Sequence, residues 1–171
     1  MEQRARAVIA SREGRDEQAE EWVGVGFKLG QERFVTARSD VREVLSVPPV
    51  ITRVPGAQSW LRGIANVRGQ LITIVDLKAF LGGGVSMTDH RARVLVLANR
   101  DVPTGMLVEE VVGFRRFEST DYTDETPATT LSCENYLSGG YRRDDETWPH
   151  FSLTKLLRDE QFLRAGAEME A

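Results

Sequence analysis

The chain is poor in the residues that carry most site chemistry: its 171 residues include one cysteine, Cys133, and two histidines, His90 and His150. A lone cysteine closes no internal disulfide. Zinc sites draw Cys and His ligands at short spacings, which these three residues do not provide. Nucleophilic catalysis needs a Ser or Cys with a base in reach, and neither histidine stands in a recognisable setting. His90 falls in the polar turn Met87-Thr88-Asp89-His90-Arg91, and His150 follows Trp148-Pro149 in an expected strand, so both read as structural or surface residues. Cys133, between Ser132 and Glu134, reads as a free thiol. There is no Gly-x-Ser-x-Gly, and Gly82-Gly83-Gly84 lacks the Lys-Ser/Thr of a phosphate loop, so it reads as a helix stop. The carboxylates around Asp121, Asp124 and Glu125 read as solvated. No catalytic residue, cofactor or metal is expected, and the chain is read as not an enzyme.

Excess positive charge is also missing. Lys and Arg number 22 against 26 Asp and Glu, a formal net charge of -4, which opposes a protein built to coat phosphate backbones. A small β-barrel that binds nucleic acid is the alternative of another class. The acidic balance and the lack of an aromatic-basic strand face oppose it. No apolar run approaches the length of a membrane span and no signal-type segment is present, so a cytoplasmic location is expected. With 41% hydrophobic residues the chain can bury a core without a disulfide or metal.

Residues 1–20 mix charges of both signs with few large apolar groups, which predicts a flexible tail. The apolar patch 5–10 could instead form a short helix on a partner. One folded block is expected over 21–165 and a flexible end over 166–171. Residues 22–29 alternate large apolar side chains with Gly or Lys up to Gly30-Gln31, and with 33–36 they predict a hairpin. A third strand over 41–47 is stopped by Pro48-Pro49. A short strand over 51–54 is stopped by Pro55-Gly56, and 57–61 has room for a helical turn. Then come a strand over 63–68, a tight turn at Gly69-Gln70, and a strand over 71–75 buried on both sides, with Leu71, Ile72, Ile74 and Val75 as core. Asp76 caps a one-turn helix over 77–81 that Gly82 ends. Residues 92–98 and 104–112 predict a second hairpin around Asn99 to Pro103. A polar loop over 119–127, a last strand over 148–153 and a C-terminal helix over 154–164 complete the reading. Many short strands with only short helical pieces predict a mainly β fold in two half-domains of about five strands each, without an internal sequence repeat.

The most distinctive stretch is Trp60-Leu61-Arg62-Gly63-Ile64-Ala65-Asn66-Val67-Arg68-Gly69, followed by Ile74-Val75-Asp76-Leu77. It resembles the central signature of the CheW family of chemotaxis coupling proteins: a Gly, a hydrophobic pair, Asn-hydrophobic-Arg-Gly, then a buried strand ending in hydrophobic-Asp-Leu. The resemblance spans about 22–157 and includes Val41-Arg42-Glu43-Val44, Arg53-Val54, Gly105-Met106-Leu107-Val108-Glu109, Tyr136-Leu137 and Lys155-Leu156-Leu157. Thr73 stands where the family usually has proline, and loop 120–132 does not align cleanly. The wording from Trp60 to Gly69, with Phe80-Leu81-Gly82 and the long N-terminal extension, is most similar to the coupling proteins of type IV pilus twitching motility. The flagellar branch is the alternative.

The resemblance implies two intertwined SH3-like five-stranded β-barrels without catalytic activity. It implies an adaptor joining a CheA-type histidine kinase, through the kinase's CheW-like regulatory domain, to the cytoplasmic tip of a methyl-accepting chemoreceptor. Neither nucleic acid nor direct membrane insertion is implied, and the adaptor would be recruited from the cytoplasm to membrane receptor arrays. By position, Arg68, Asn66, Glu43, Val41 and Val108 would face the receptor groove between the barrels, and Arg62 and Gly63 would lie nearer the kinase-facing surface.

The residue chemistry supports part of this. A guanidinium held at a strand end beside a Gly turn can bind carboxylates or carbonyls of a helical partner, and Glu43 could orient it. Arg68 could equally be an ordinary solvated arginine, and Asn66 a turn residue bonded to local backbone. Gly63 and Gly69 read most simply as backbone devices, and Asp76 as a helix cap.

Overall fold

The structure, a computed structural model, describes residues 20–98 and 103–164. The tail expected before residue 20, the end after 165 and most of the Asn99 to Pro103 turn lie outside the described residues. Strands β1 (Glu21–Leu29) and β2 (Glu32–Ala37) form the first hairpin, and Gly30 supplies the positive φ of 64° that its two-residue turn requires. Next come β3 (Val41–Ser46), β4 (Leu61–Val67), β5 (Gln70–Asp76), the one-turn helix α1 (Leu77–Phe80), β6 (Arg93–Leu97) and β7 (Thr104–Val108). The last part holds β8 (Glu110–Glu118), β9 (Tyr122–Thr123), β10 (Leu137–Arg143), β11 (Glu146–Phe151) and α2 (Leu153–Leu156).

These make a six-stranded sheet in the order β8-β1-β2-β11-β10-β9 and a five-stranded sheet in the order β3-β6-β7-β5-β4. The second sheet is thus inserted in sequence between β2 and β8 of the first, and the expected mainly β, SH3-like fold holds, with six strands and not five in the first sheet. Neither sheet closes on itself through main-chain pairing; side chains close the seams instead. In the second sheet, β3 and β4 are opposite edges, yet Arg42 of β3 reaches Gln70 (3.1 Å), and Arg68, just past β4, reaches Glu43 of β3 (2.7 Å). In the first, Arg143 of β10 donates to the Arg116 carbonyl of β8 at 2.7 Å, and Tyr141 stacks on Phe117 and Trp22 at centroid distances of 5.2 and 4.2 Å.

Burial falls into three bodies. Trp22, Val35, Phe117, Tyr141 and Trp148 fill the first unit, and Ala65, Ile72, Ile74, Val94, Val96 and Leu107 fill the second. A larger cluster lies between them and draws Phe27 and Phe34 from one sheet, Val75, Leu97, Met106 and Val108 from the other, and Phe151 and Leu156 from the chain's end. Because each sheet buries residues on both faces, neither unit is a self-sufficient domain.

Several local expectations are corrected. Residues 51–54 make no strand, only a bridge from Thr52 to Ile64. The strand expected over 104–112 is two strands in different sheets, broken at Glu109. The continuation of β8 through Gly113 to Glu118, and all of β10, were missed. Both carry consecutive exposed arginines, Arg115-Arg116 and Arg142-Arg143, and Gly139-Gly140 is poor in β-propensity, so no alternating pattern shows. The C-terminal helix is two pieces, because two side chains start helices. Ser152 accepts from Lys155 N–H, and Asp159 accepts from the N–H groups of Gln161 and Phe162, beginning the helical residues 160–164. Leu71, expected in the core, is 60% exposed, since it sits at the turn end of β5 beyond the sheet's interior.

Candidate functional site

The β4–β5 hairpin turns through Arg68 and Gly69, one residue earlier than expected: Val67 pairs with Gln70, and the two turn residues have φ of 52° and 84°. Positive φ at both central positions is the type I′ form of a two-residue hairpin turn. For Arg68 it is an uncommon conformation, and the side chains around it hold it there. Asn66 Oδ1 accepts the Gly69 N–H at 2.9 Å, so Asn66 is the local turn residue that its type suggested. Arg68 Nη2 donates to both oxygens of Glu43 at 2.7 Å. The Arg68 side chain is 66% exposed and Glu43 is 28% exposed, so a surface arginine stands with its orientation set by a half-buried acid. Arg42 lies 3.8 Å from the same carboxylate.

The surroundings are less polar than the sequence suggested. Leu71 pairs across the hairpin with Asn66, and exposed Val44 follows Glu43 on β3. The hairpin end therefore carries a charged pair and an exposed Leu71, while Val44 is exposed on the face of β3 that Arg42 shares. Leu71, Val44, Arg42 and Gln70 were all missed. Alternation along β3, where Arg42, Val44 and Ser46 point outward, was the signal for two of them.

The remaining assigned residues divide. Val41 is partly buried and packs against the central cluster. Val108 is 0% exposed in that cluster, because β7 is an interior strand between β6 and β5, so it presents no surface to a partner. Gly63 is also buried, with φ 138°. A Cβ there would stand 2.1 Å from the Thr52 carbonyl oxygen, so it serves the fold through close backbone approach rather than as a contact. Arg62 is 29% exposed and donates from Nη1 to Asp76 Oδ2 over a long 3.4 Å.

Asp76 caps α1 as expected, accepting from Ala79 N–H at 3.2 Å, but it does more. At 1% exposure it also takes the Ser86 hydroxyl at 2.6 Å and the Ser86 N–H at 2.8 Å, fixing the loop after α1. A second acid, Glu109, works beside it, accepting from Met87 N–H (2.6 Å), Gly30 N–H (2.6 Å) and Lys78 Nζ (2.9 Å). Burial pushes the Glu109 carboxyl up, yet the bonds from Met87, Lys78 and Gly30 outweigh it and hold the group below the usual range. Neither Ser86 nor Glu109 was singled out from sequence.

Other groups read as structural. His150 is 2% exposed, edge-on to Trp22, while His90 is exposed. Cys133 is 0% exposed, and burial, with the charges of Glu32 and Glu134, pushes its thiol up against a bond to Thr129. Among the described residues no three His, Cys, Asp or Glu gather as a metal requires, and no helix is long and apolar enough to cross a membrane. The first sheet does carry an aromatic-basic face, contrary to the sequence reading. Arg33 and Arg115 lie over Trp148 at 4.7 and 5.2 Å, and Arg38 over Phe114 at 5.3 Å. The arginines cover Trp148, leaving it 5% exposed, so it offers no open platform on which a base could stack.

Comparison with known proteins agrees with this architecture. The CheW-like domain family matches residues 23–161. The protein PilI of Pseudomonas aeruginosa is 34% identical over 163 residues, covering 95% of this chain and 90% of that protein. The chemotaxis protein CheW of Helicobacter pylori is 26% identical, over 82% of this chain and 80% of that one. In three dimensions, the scaffolding protein TtCheW of Thermoanaerobacter tengcongensis superposes with a TM-score of 0.67 at 24% identity, over 77% of this chain and 89% of that structure. The chain belongs to the CheW-like family.

Proposed function

We propose that this protein is a non-enzymatic adaptor that couples methyl-accepting chemoreceptors to a CheA-type histidine kinase, in a chemotaxis-like system controlling type IV pilus twitching motility. The observation that carries the reading is the Arg68–Glu43 pair, an exposed guanidinium held by both oxygens of one carboxylate on the rim of the second sheet. With Leu71 exposed on the same hairpin, it suits a helical partner that brings acceptors and an apolar side chain. Arg68, Glu43 and Asn66 form the receptor side, with Val41 behind them as support. Arg62 belongs to the kinase side, where Gly63 acts only by shaping the backbone. The likeness to PilI along nearly the whole chain favours the pilus branch, and the adaptor works in the cytoplasm at membrane receptor arrays.

The test is Arg68→Glu. It should leave the thermal melt nearly unchanged, because an exposed pair adds only ~0.2 to 1 kcal/mol, and should abolish receptor-dependent recruitment of the kinase in a pull-down. Unchanged recovery would remove Arg68 from the receptor side. For the branch, loss of the gene should impair twitching and leave swimming intact; the reverse pattern would assign the chain to flagellar chemotaxis.

A further inference from the structure

Residues 124–133 cross from β9 toward β10 with no helix or strand of their own. Among the described residues, one main-chain pair ties 125–132 to the rest of the fold: Ser132 N–H donates to the Leu81 carbonyl at 2.9 Å. The remaining attachment comes from side chains. Glu32, the first residue of β2, accepts the Thr129 hydroxyl on one carboxylate oxygen, and the Thr130 hydroxyl and N–H on the other, the last at 2.9 Å. Burial raises the Glu32 carboxyl, yet the bonds from Thr129 and Thr130 outweigh it and hold the group below the usual range. The Thr129 hydroxyl in turn accepts Leu131 N–H at 3.1 Å, so the acid also fixes the backbone that carries Leu131.

Leu131 and Cys133, 7% and 0% exposed, fill places in the central cluster between the two sheets. Leu131 lies so close to Gly83 that a Cβ there would stand 2.5 Å from its Cδ2. The middle glycine of the Gly82-Gly83-Gly84 run, the one without a positive φ, is thus accounted for by the segment packed on it. The segment therefore fastens the β1–β2 turn of the first sheet to the end of α1 beside the second. That turn has another tie that does not involve the segment, because Gly30 N–H donates to Glu109 at 2.6 Å. No ladder of either sheet runs through 124–133. A stretch with few main-chain bonds, held by side chains, can lift while both ladders stay intact.

We infer that residues 124–133 form a strap that opens and closes as a unit over the core shared by the two sheets, with Glu32 as its fastener and Leu131 as its plug. Lifting the strap withdraws Leu131 from between the sheets and frees Glu32, so the two halves lose a tie while each keeps its own cluster. Most of the strap falls within 120–132, where the chain departs from the family pattern.

Cys133, the chain's one cysteine, lies under the strap and reports its opening through reaction with excess iodoacetamide, followed on the full chain by mass spectrometry. In the native protein, labelling should be faster than global unfolding allows. It should stay nearly flat in urea below the unfolding transition, because a local opening exposes little surface. Glu32→Ala should speed labelling roughly tenfold or more, since three hydrogen bonds to a charged acceptor are lost. Glu32→Gln should fall in between, because the threonine hydroxyls can rotate to match an amide. Ile72→Val, in the second unit's own cluster, should lower the urea midpoint yet leave labelling in water within about twofold. Labelling no faster than global unfolding, or labelling that climbs in Ile72→Val in proportion to its lost stability, overturns the strap, since Cys133 is then reached only by unfolding the whole chain. Unchanged labelling in Glu32→Ala overturns Glu32 as the fastener. If Glu32→Ala does not fold, the urea profile of the native chain and the Ile72→Val comparison decide.

Discussion

Replacing Asp76 by asparagine removes one charge and turns one acceptor into a donor while the side chain keeps nearly its shape. In the native protein Oδ1 accepts from Ala79 N–H and the Ser86 hydroxyl, and Oδ2 accepts from Ser86 N–H and Arg62. An amide cannot satisfy all of them. With its oxygen toward Ala79, its NH2 faces the donors of Ser86 and Arg62. Flipped, its NH2 faces only Ala79 N–H, because the Ser86 hydroxyl can rotate to accept. The flipped form is the cheaper one. It loses the helix cap, worth about 1 kcal/mol, and leaves buried donors opposed, which costs about 1 to 3 kcal/mol more. The total is roughly 2 to 4 kcal/mol, or a fall in melting temperature on the order of 10 °C for a chain of this size. Circular dichroism melts and urea titrations of Asp76→Asn measure it. Arg62→Ala should cost no more than ~1 kcal/mol, since its contact is long and partly solvated. A shift below about 2 °C for Asp76→Asn would refute the reasoning. It would mean that relief from desolvating the carboxylate offsets the lost bonds.

Two further outcomes follow from burial and charge. Val108→Ala removes two methyl groups from the central cluster and should cost about 2 kcal/mol in urea titrations, while the folded fraction captures receptor normally. A selective loss of capture at full stability would return Val108 to the receptor side. On acidification, Glu109, Glu32 and Asp159 all have carboxyls held below their usual values of 4.5, 4.5 and 3.8, in each case by hydrogen bonds that outweigh a raising effect of burial. Their contribution is complete above those values and is lost as pH falls through the lowered ones. The urea midpoint should therefore hold from neutrality to about pH 5 and drop below about pH 4.5. A midpoint that rises on acidification through that range would contradict these assignments.

The strands built from alternating apolar residues were legible in the sequence, as were the turn glycines and the cap at Asp76, because each rests on a local pattern. What was not legible depends on long-range neighbours. Glu109 looks like any acid at the end of a strand. Only the crossing from β7 to β8 brings it against Gly30, Lys78 and Met87, residues distant in sequence. Val108 and Leu71 exchanged fates for a related reason. Both are apolar strand residues, and burial is decided by whether the strand lies inside the sheet, as β7 does, or projects past it at a hairpin turn, as the start of β5 does. β10 was hidden because arginines and paired glycines occupy the positions where a sequence pattern would be read. Arg68 was found, together with its partner Glu43, through the resemblance and complementary charge. The one-residue shift of its turn was not, although it decides that Arg68 itself occupies the turn.

The pairing register of the β4–β5 hairpin decides which of its side chains are exposed. In a strand, successive side chains face opposite ways, so slipping β5 by one residue against β4 would turn Leu71 inward and Ile72 out. The register is held at both ends. At the turn, Asn66 bonds Gly69 and positive φ at Arg68 and Gly69 closes the hairpin. At the far end the pairing skips a residue between Leu61 and Gly63, and Gly63 lies so close under the Thr52 carbonyl that no side chain fits. The Thr52–Ile64 bridge can form only over a glycine there. Gly63 thus serves the hairpin without lending a side chain: its close approach to Thr52 allows the bridge beside the Arg62–Asp76 pair.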